Sequence, residues 1–220
     1  MKLSGTDIDW DVQRTKAVAE IAHETLGRMG QEELYLSADA NEMNPNPDVT
    51  LEFLRELRKA SSMAFNSLLY LEQPTERDLS LHMFSMKETA KIKPVLADEG
   101  VVDLKTFELA LKLGWSGVAV KACKWHSSSL LYIAKMEHCG IPYSIQDLTC
   151  PGLALVHSAG LAARSKPLKG FEYNARQYLP FAHREVQDRH ESIFKVKDGI
   201  IRTDSLAPIG LGFSTKGIRP

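Results

Sequence analysis

Several features that would place a chain in a functional class are missing from this one. No apolar stretch is long enough to span a membrane, and the first residues form no apolar signal region, so the reading expects no membrane and a cytoplasmic protein. Neither charge sign is in excess: 27 Lys and Arg stand against 28 Asp and Glu, and the basic residues are scattered. That balance gives no reason to expect nucleic acid or an anionic surface as a partner. Cysteine is scarce. Cys123, Cys139 and Cys150 are odd in number and lack Cys-x-x-Cys spacing, which points to free thiols in a reducing compartment. Cys123 and Cys150 are read as inert, semi-buried thiols. His126, His138, His157 and His183 show no metal-ligand spacing. No Gly-rich phosphate loop follows any predicted strand, which argues against an open nucleotide-binding sheet. With no composition break and no low-complexity segment, residues 1–220 read as a single domain with a substantial core.

What the sequence does have is a series of short apolar runs with polar ends. Leu34-Tyr35-Leu36-Ser37-Ala38-Asp39, Ser67-Leu68-Leu69-Tyr70-Leu71-Glu72 and Pro94-Val95-Leu96-Ala97-Asp98 each end in a carboxylate. Gly117-Val118-Ala119-Val120-Lys121 ends in a lysine. Helical patterns separate them. A helix is predicted over Trp10 to Met29, with Gly30 as its C-cap. After the polar loop Asn41 to Pro47, Asp48 is expected to cap a helix carrying Leu51, Leu54, Leu57 and Ala60. Further helices are predicted from Arg77 to Thr89, from Phe107 to Leu113, from the Ser127–Ser129 caps to Gly140, and from Gly152 to Ala163. Ile141 to Ile145 and Phe171 to Tyr173 complete six strands, and Asp198-Gly199 marks a two-residue hairpin turn.

Regular strand–helix alternation implies a parallel sheet. A closed barrel of this kind has eight strands, and its strand C-termini share the face where such folds do chemistry. Six strands make it a partial (β/α) TIM-like barrel of the α/β class. Asp39, Glu72, Asp98 and Lys121 are then expected on one face. Singly, a strand-end acid can serve as a helix cap. Together, three converging carboxylates need a cation to offset their repulsion.

Asp39-Ala40-Asn41, Leu71-Glu72-Gln73-Pro74, Ala97-Asp98-Glu99 and Val120-Lys121 resemble, in order and spacing, the strand-end motifs of the enolase superfamily. The muconate-lactonizing and mandelate-racemase branches are the nearest in pattern. The likeness runs from about Lys2 to Phe213 and includes the hairpin at Asp198-Gly199 and the tail Gly210-Leu211-Gly212. It implies a Mg²⁺-dependent acid–base enzyme that removes the proton alpha to a carboxylate through a metal-stabilised enediolate, acting as a lyase, racemase, epimerase or cycloisomerase on a small carboxylate substrate. Asp39, Glu72 and Asp98 would be the Mg²⁺ ligands, a hard oxygen set. Lys121 would be one base and Lys2 the second, opposing lysine. Asn41, Asp147, Glu172 and Asn174 are candidates to contact substrate.

The pattern also departs from the family. A first strand, most of a second and an N-terminal capping domain are expected but not seen, which reads as an N-terminally truncated chain. The Gly-Gly often found after the lysine strand is replaced by Ala122-Cys123. No His follows the next strand, where Asp147 stands instead. The alternative is a catalytically inactive barrel fragment with a metal-binding or interaction role. A homo-oligomer is compatible with either reading.

Overall fold

In the computed structural model, residues 1–206 and Gly212 are described. The expected tail residues Gly210, Leu211 and Phe213 lie outside them. The elements run α1 (Ile8–Arg28), β1 (Leu36–Asp39), α2 (Pro47–Ala60), α3 (Ser62–Ser67), β2 (Leu68–Glu72), α4 (Lys87–Ala90), β3 (Val95–Ala97), α5 (Leu104–Lys112), β4 (Gly117–Lys121), α6 (His126–Cys139), β5 (Tyr143–Gln146), α7 (Leu153–Ala162), α8 (Ala175–Tyr178), α9 (Arg184–Gln187) and α10 (Glu191–Phe194). The five strands form one sheet in chain order, and β1–β2, β2–β3 and β3–β4 pair in parallel. This is a partial α/β barrel. The chain divides into two compact units, residues 1–119 with 140–142, and residues 120–139 with 143–220.

In the first unit, α1 and α2 bury Val12, Ala19, Phe53, Leu54 and Leu57 against Phe65, Leu68 and Leu71. β3 and β4 are buried along their whole length, as parallel strands covered on both faces must be. The helix starts follow local chemistry. Asp7 Oδ1 accepts from Trp10 N at 2.9 Å, and Asp103 with Thr106 forms a capping box. Asn46, not Asp48, caps α2, because Pro47 fills the first helical position and needs no N–H partner. The helix expected from Arg77 to Thr89 shrinks to Lys87–Ala90. Upstream, the Asp78 carboxylate captures Ser80 N and Leu81 N in a local turn, which competes with a helical ladder. Position 117, the first of β4, has to be glycine because a Cβ there would lie 1.7 Å from the Pro142 carbonyl oxygen.

In the second unit, α7 packs Leu155, Val156 and Ala159 with Ala175, Val186, Ile193 and Phe194. Ser127–Ser129 fall inside α6, with Ser129 Oγ bonded to the Trp125 carbonyl at 2.9 Å. The last expected strand is a single parallel bridge, Gln146 to Glu172. The expected two-residue turn forms, with Lys197 and Ile200 exchanging backbone bonds of 2.9 Å around Asp198 and Gly199, both left-handed at φ 52° and 73°, but the two short strands expected beside it reduce to this single antiparallel bridge. Cys123 is exposed rather than semi-buried. Desolvation of its sulfur, with the Cys150 thiol beside it, pushes it up to about 11, and Cys150 is half-buried as expected. No helix among the described residues is long and apolar enough to cross a membrane.

Candidate active site

The first unit carries the carboxylates. Asp39 pairs in register with Glu72, and Asp98 immediately follows β3. They are 8%, 4% and 2% exposed. Backbone amides lace the strand ends together. Ala40 N reaches the Glu72 carbonyl at 3.4 Å, Gln73 N reaches that of Leu96 at 2.9 Å, and Glu42 N reaches that of Gln73 at 2.7 Å. Gln73 is fully buried, and its Oε1 accepts from Asp98 N at 2.7 Å and Gly100 N at 3.1 Å. The chain turns sharply after β1 and after β2: Asn41, Glu42 and Gln73 are left-handed at φ 44°, 72° and 29°. Such backbone is costly for residues with a Cβ and clusters at functional sites.

Met1–Leu3 lies along β1, with Leu3 N bonded to the Asp39 carbonyl and Asp39 N to that of Met1, both at 2.9 Å. This places Lys2 opposite Asp39, where its Nζ forms an ion pair with Oδ2. Asp39 Oδ1 accepts from Asn41 N at 2.8 Å. Asn41 itself is exposed. Glu42 is clamped by the Arg77 guanidinium through two Nε contacts of 3.0 and 2.8 Å and an Nη2 contact, which holds its carboxyl below the ordinary carboxylate value.

The three carboxylates offer only oxygen atoms, the ligand type a hard divalent cation takes. The Lys2 ammonium on Asp39 Oδ2 demonstrates that this oxygen accepts a positive partner. Among the described residues, no three His, Cys, Asp or Glu side chains stand as a group able to hold a metal ion.

The second unit carries Lys121, which ends β4 at 7% exposure. Its carbonyl takes Lys124 N at 3.0 Å, closing the turn into α6. Asp147 follows β5 and is completely buried. Its Oδ1 accepts from Thr149 N at 2.8 Å, and its Oδ2 from Asn174 N at 2.6 Å and Ala175 N at 2.8 Å. Three backbone donors therefore hold this carboxylate, which braces the turn into α8. Glu172 Oε1 accepts from Asn174 Nδ2 at 2.6 Å, so these two half-buried side chains hold each other.

Sequence reasoning missed three side chains that organise these ends: Gln73, Asp11 and Asn44. Gln73 stood inside a strand-end motif, and its burial was the missing information. Asp11 lay unremarked inside the helix predicted over Trp10 to Met29, and Asn44 inside the polar loop Asn41 to Pro47.

The model of the enolase C-terminal domain-like family matches residues 1–217. The chain belongs to that family. No curated protein matches it significantly. Among solved structures, a mandelate racemase/muconate lactonizing protein from Herpetosiphon aurantiacus superposes with a TM-score of 0.64 at 22% identity, over 80% of this chain and 46% of that one. The L-Ala-D/L-Glu epimerase from Bacillus subtilis gives 0.63 at 22% identity, over 80% and 46%. The dipeptide epimerase from Enterococcus faecalis, complexed with Mg and the dipeptide L-Leu-L-Tyr, gives 0.59 at 22% identity, over 77% and 45%. The chain spans less than half the length of these proteins. At such identity the likeness carries the enolase-type barrel fold.

Proposed function

We propose that this chain supplies the barrel chemistry of a Mg²⁺-dependent acid–base enzyme that abstracts a proton alpha to a carboxylate. One observation carries the reading. Three buried carboxylates end or directly follow successive parallel strands, with Asp39 and Glu72 in direct register, in a member of the enolase C-terminal domain-like family. Asp39, Glu72 and Asp98 would hold the metal. When bound, Mg²⁺ supplies positive charge against the charge that builds on the substrate carboxylate as the proton leaves. Lys121, buried at the end of the next strand, takes the proton at Nζ. Lys2 serves as the opposing acid–base group. Asn41, Glu172 and Asn174 are proposed to face the substrate, and Asp147 to hold the Glu172–Ala175 segment in place.

The substrate class is a small carboxylate, and dipeptides head the panel because solved relatives carry dipeptide epimerase names. Incubation in D₂O with Mg²⁺ and a panel of dipeptides and other α-substituted carboxylates is expected to exchange the α-proton, with loss in Lys121→Ala. Folded protein that exchanges no member of the panel would refute the enzyme reading. A second reading, an inactive barrel fragment with an interaction role only, fits the lack of a three-ligand group among the described residues and predicts neither α-proton exchange nor Mg²⁺ binding by calorimetry.

A further inference from the structure

We propose that Asp11 is a positioning residue whose carboxylate fixes the Ser4-Gly5 turn and thereby holds Lys2 at the Asp39 strand end. The role given to Lys2 rests on the acid–base reading above, whereas the brace rests on geometry.

The Lys2 side chain is 67% exposed, so its own burial cannot fix its place. Its backbone pairs with β1 over only three residues, a length that frays when nothing else holds it. The Ser4-Gly5 turn just beyond it is held from both sides. Asp11, in the first turn of α1 and 3% exposed, points its carboxylate back at this turn. Oδ1 accepts from Ser4 N at 2.6 Å, and Oδ2 from Gly5 N at 2.9 Å and Ser4 Oγ at 3.1 Å. Bonds to an ionised acceptor are roughly twice as strong as neutral ones, and these three compensate the buried charge.

On the far side, the Gly5 carbonyl accepts from Asn44 Nδ2 at 2.6 Å, and Asn44 Oδ1 accepts from Thr50 Oγ1 at 2.9 Å. Asn44 N donates to the Pro74 carbonyl at 2.9 Å, two residues beyond Glu72. Gly5 is left-handed at φ 73°, and a Cβ there would meet Met43 Cβ at 2.5 Å. Leu3, Asp11, Asn44, Thr50 and Glu72 share a cavity of only about 10 Å³, room for no more than about one water. A shift of Ser4-Gly5 therefore passes along the chain to Leu3 and Lys2. An Asn at position 11 would turn an amide donor toward one of these N–H or O–H groups, so the position calls for a carboxylate.

The test uses the full chain and Asp11→Asn, with Asp11→Ala beside it. Lysines are methylated with formaldehyde and cyanoborohydride and mapped by mass spectrometry. Lys2 is expected to label about tenfold faster in both variants, the factor for losing one charge-assisted hydrogen bond, while the exposed Lys112 is unchanged. Leu3 and Asp39 amides are expected to exchange with D₂O faster in step. In the α-proton exchange assay, Asp11→Asn is expected to lower kcat about tenfold with KM kept, because it misplaces a reacting group and leaves binding intact. Unchanged Lys2 labelling in a folded Asp11→Asn overturns the proposal, even if the melting temperature falls. If neither variant folds, the wild-type amides decide. Ser4 and Gly5 must exchange far more slowly than Glu32 in the exposed loop after α1, and equal rates overturn the brace. If the wild type exchanges no substrate proton, the acid–base reading falls, while labelling and amide exchange still judge Asp11.

Discussion

Asp39 and Asp147 begin alike and end differently. Each ends a strand or directly follows one, and each has an Oδ1 that accepts from the amide two residues on, Asn41 or Thr149, at 2.8 Å. Each precedes two consecutive left-handed residues: Asn41 and Glu42 after the first, Leu148 and Thr149 after the second. The difference lies in Oδ2. In Asp39 it meets the Lys2 ammonium, an exposed cationic side chain. In Asp147 it meets two backbone amides, Asn174 and Ala175, which cannot leave without unravelling the turn into α8. The same sequence device thus yields an exposed ion pair in one place and an acceptor for backbone amides in the other. What decides is the segment that arrives beside the strand end, not the strand end itself.

The contrast predicts a difference in cost. Asp147→Ala leaves three backbone N–H groups without their acceptor and is expected to destabilise by about 3–5 kcal/mol in urea unfolding. Asp39→Asn should cost only about 1 kcal/mol, since its ion pair is with an exposed lysine. It should nevertheless abolish the rise in melting temperature expected for the wild type with Mg²⁺ if Asp39 holds the metal as proposed. Equal costs for the two would erase the distinction.

Acid should also weaken the turn after β1. Arg77 holds the Glu42 carboxyl below its ordinary value, so folding gains stability above the unfolded carboxylate pKa of about 4.3 and loses it as pH falls through the lower folded value. The half-exposed setting of Arg77 limits this to about 1 kcal/mol. Arg77→Ala is expected to flatten the stability–pH curve below about pH 4.5.

The smallest effect concerns the left-handed residues. Thr149→Gly should stabilise by up to about 1 kcal/mol, because a β-branched residue at φ 54° is strained. Asn41→Gly should change stability by only a few tenths, since Asn tolerates that backbone better. Paired unfolding curves would measure both.

Much of this arrangement was legible in the sequence, and the reasons differ by element. The strand ends showed because short apolar runs with polar termini, separated by helical periodicity, have few other foldings. The hairpin showed because Asp-Gly favours the left-handed pair it adopts. The α2 cap was misplaced by two residues because Pro47 and Asn46 act together. The last strand was overestimated because Asp147, far away in sequence, captures Asn174 and Ala175 and turns the chain away from strand geometry. Gln73, Asp11 and Asn44 were invisible for a related reason. Each is a polar residue made consequential by a backbone group brought to it from elsewhere, and no local pattern records the meeting.

The missing side chain of Gly117 has one more consequence. The chain leaves the first unit after Ala119 and returns at Gly140, and its entry to β5 is seated by contact of the Pro142 carbonyl with a bare Cα. That seat is steric and depends on nothing within the excursion. Lengthening the exposed end of α6 near Cys139 should therefore be absorbed, since closure entropy grows only slowly with loop length. A single methyl group at position 117 should not be, because it would push the returning chain off its strand. A change of one carbon and an insertion of several residues would then rank opposite to their size.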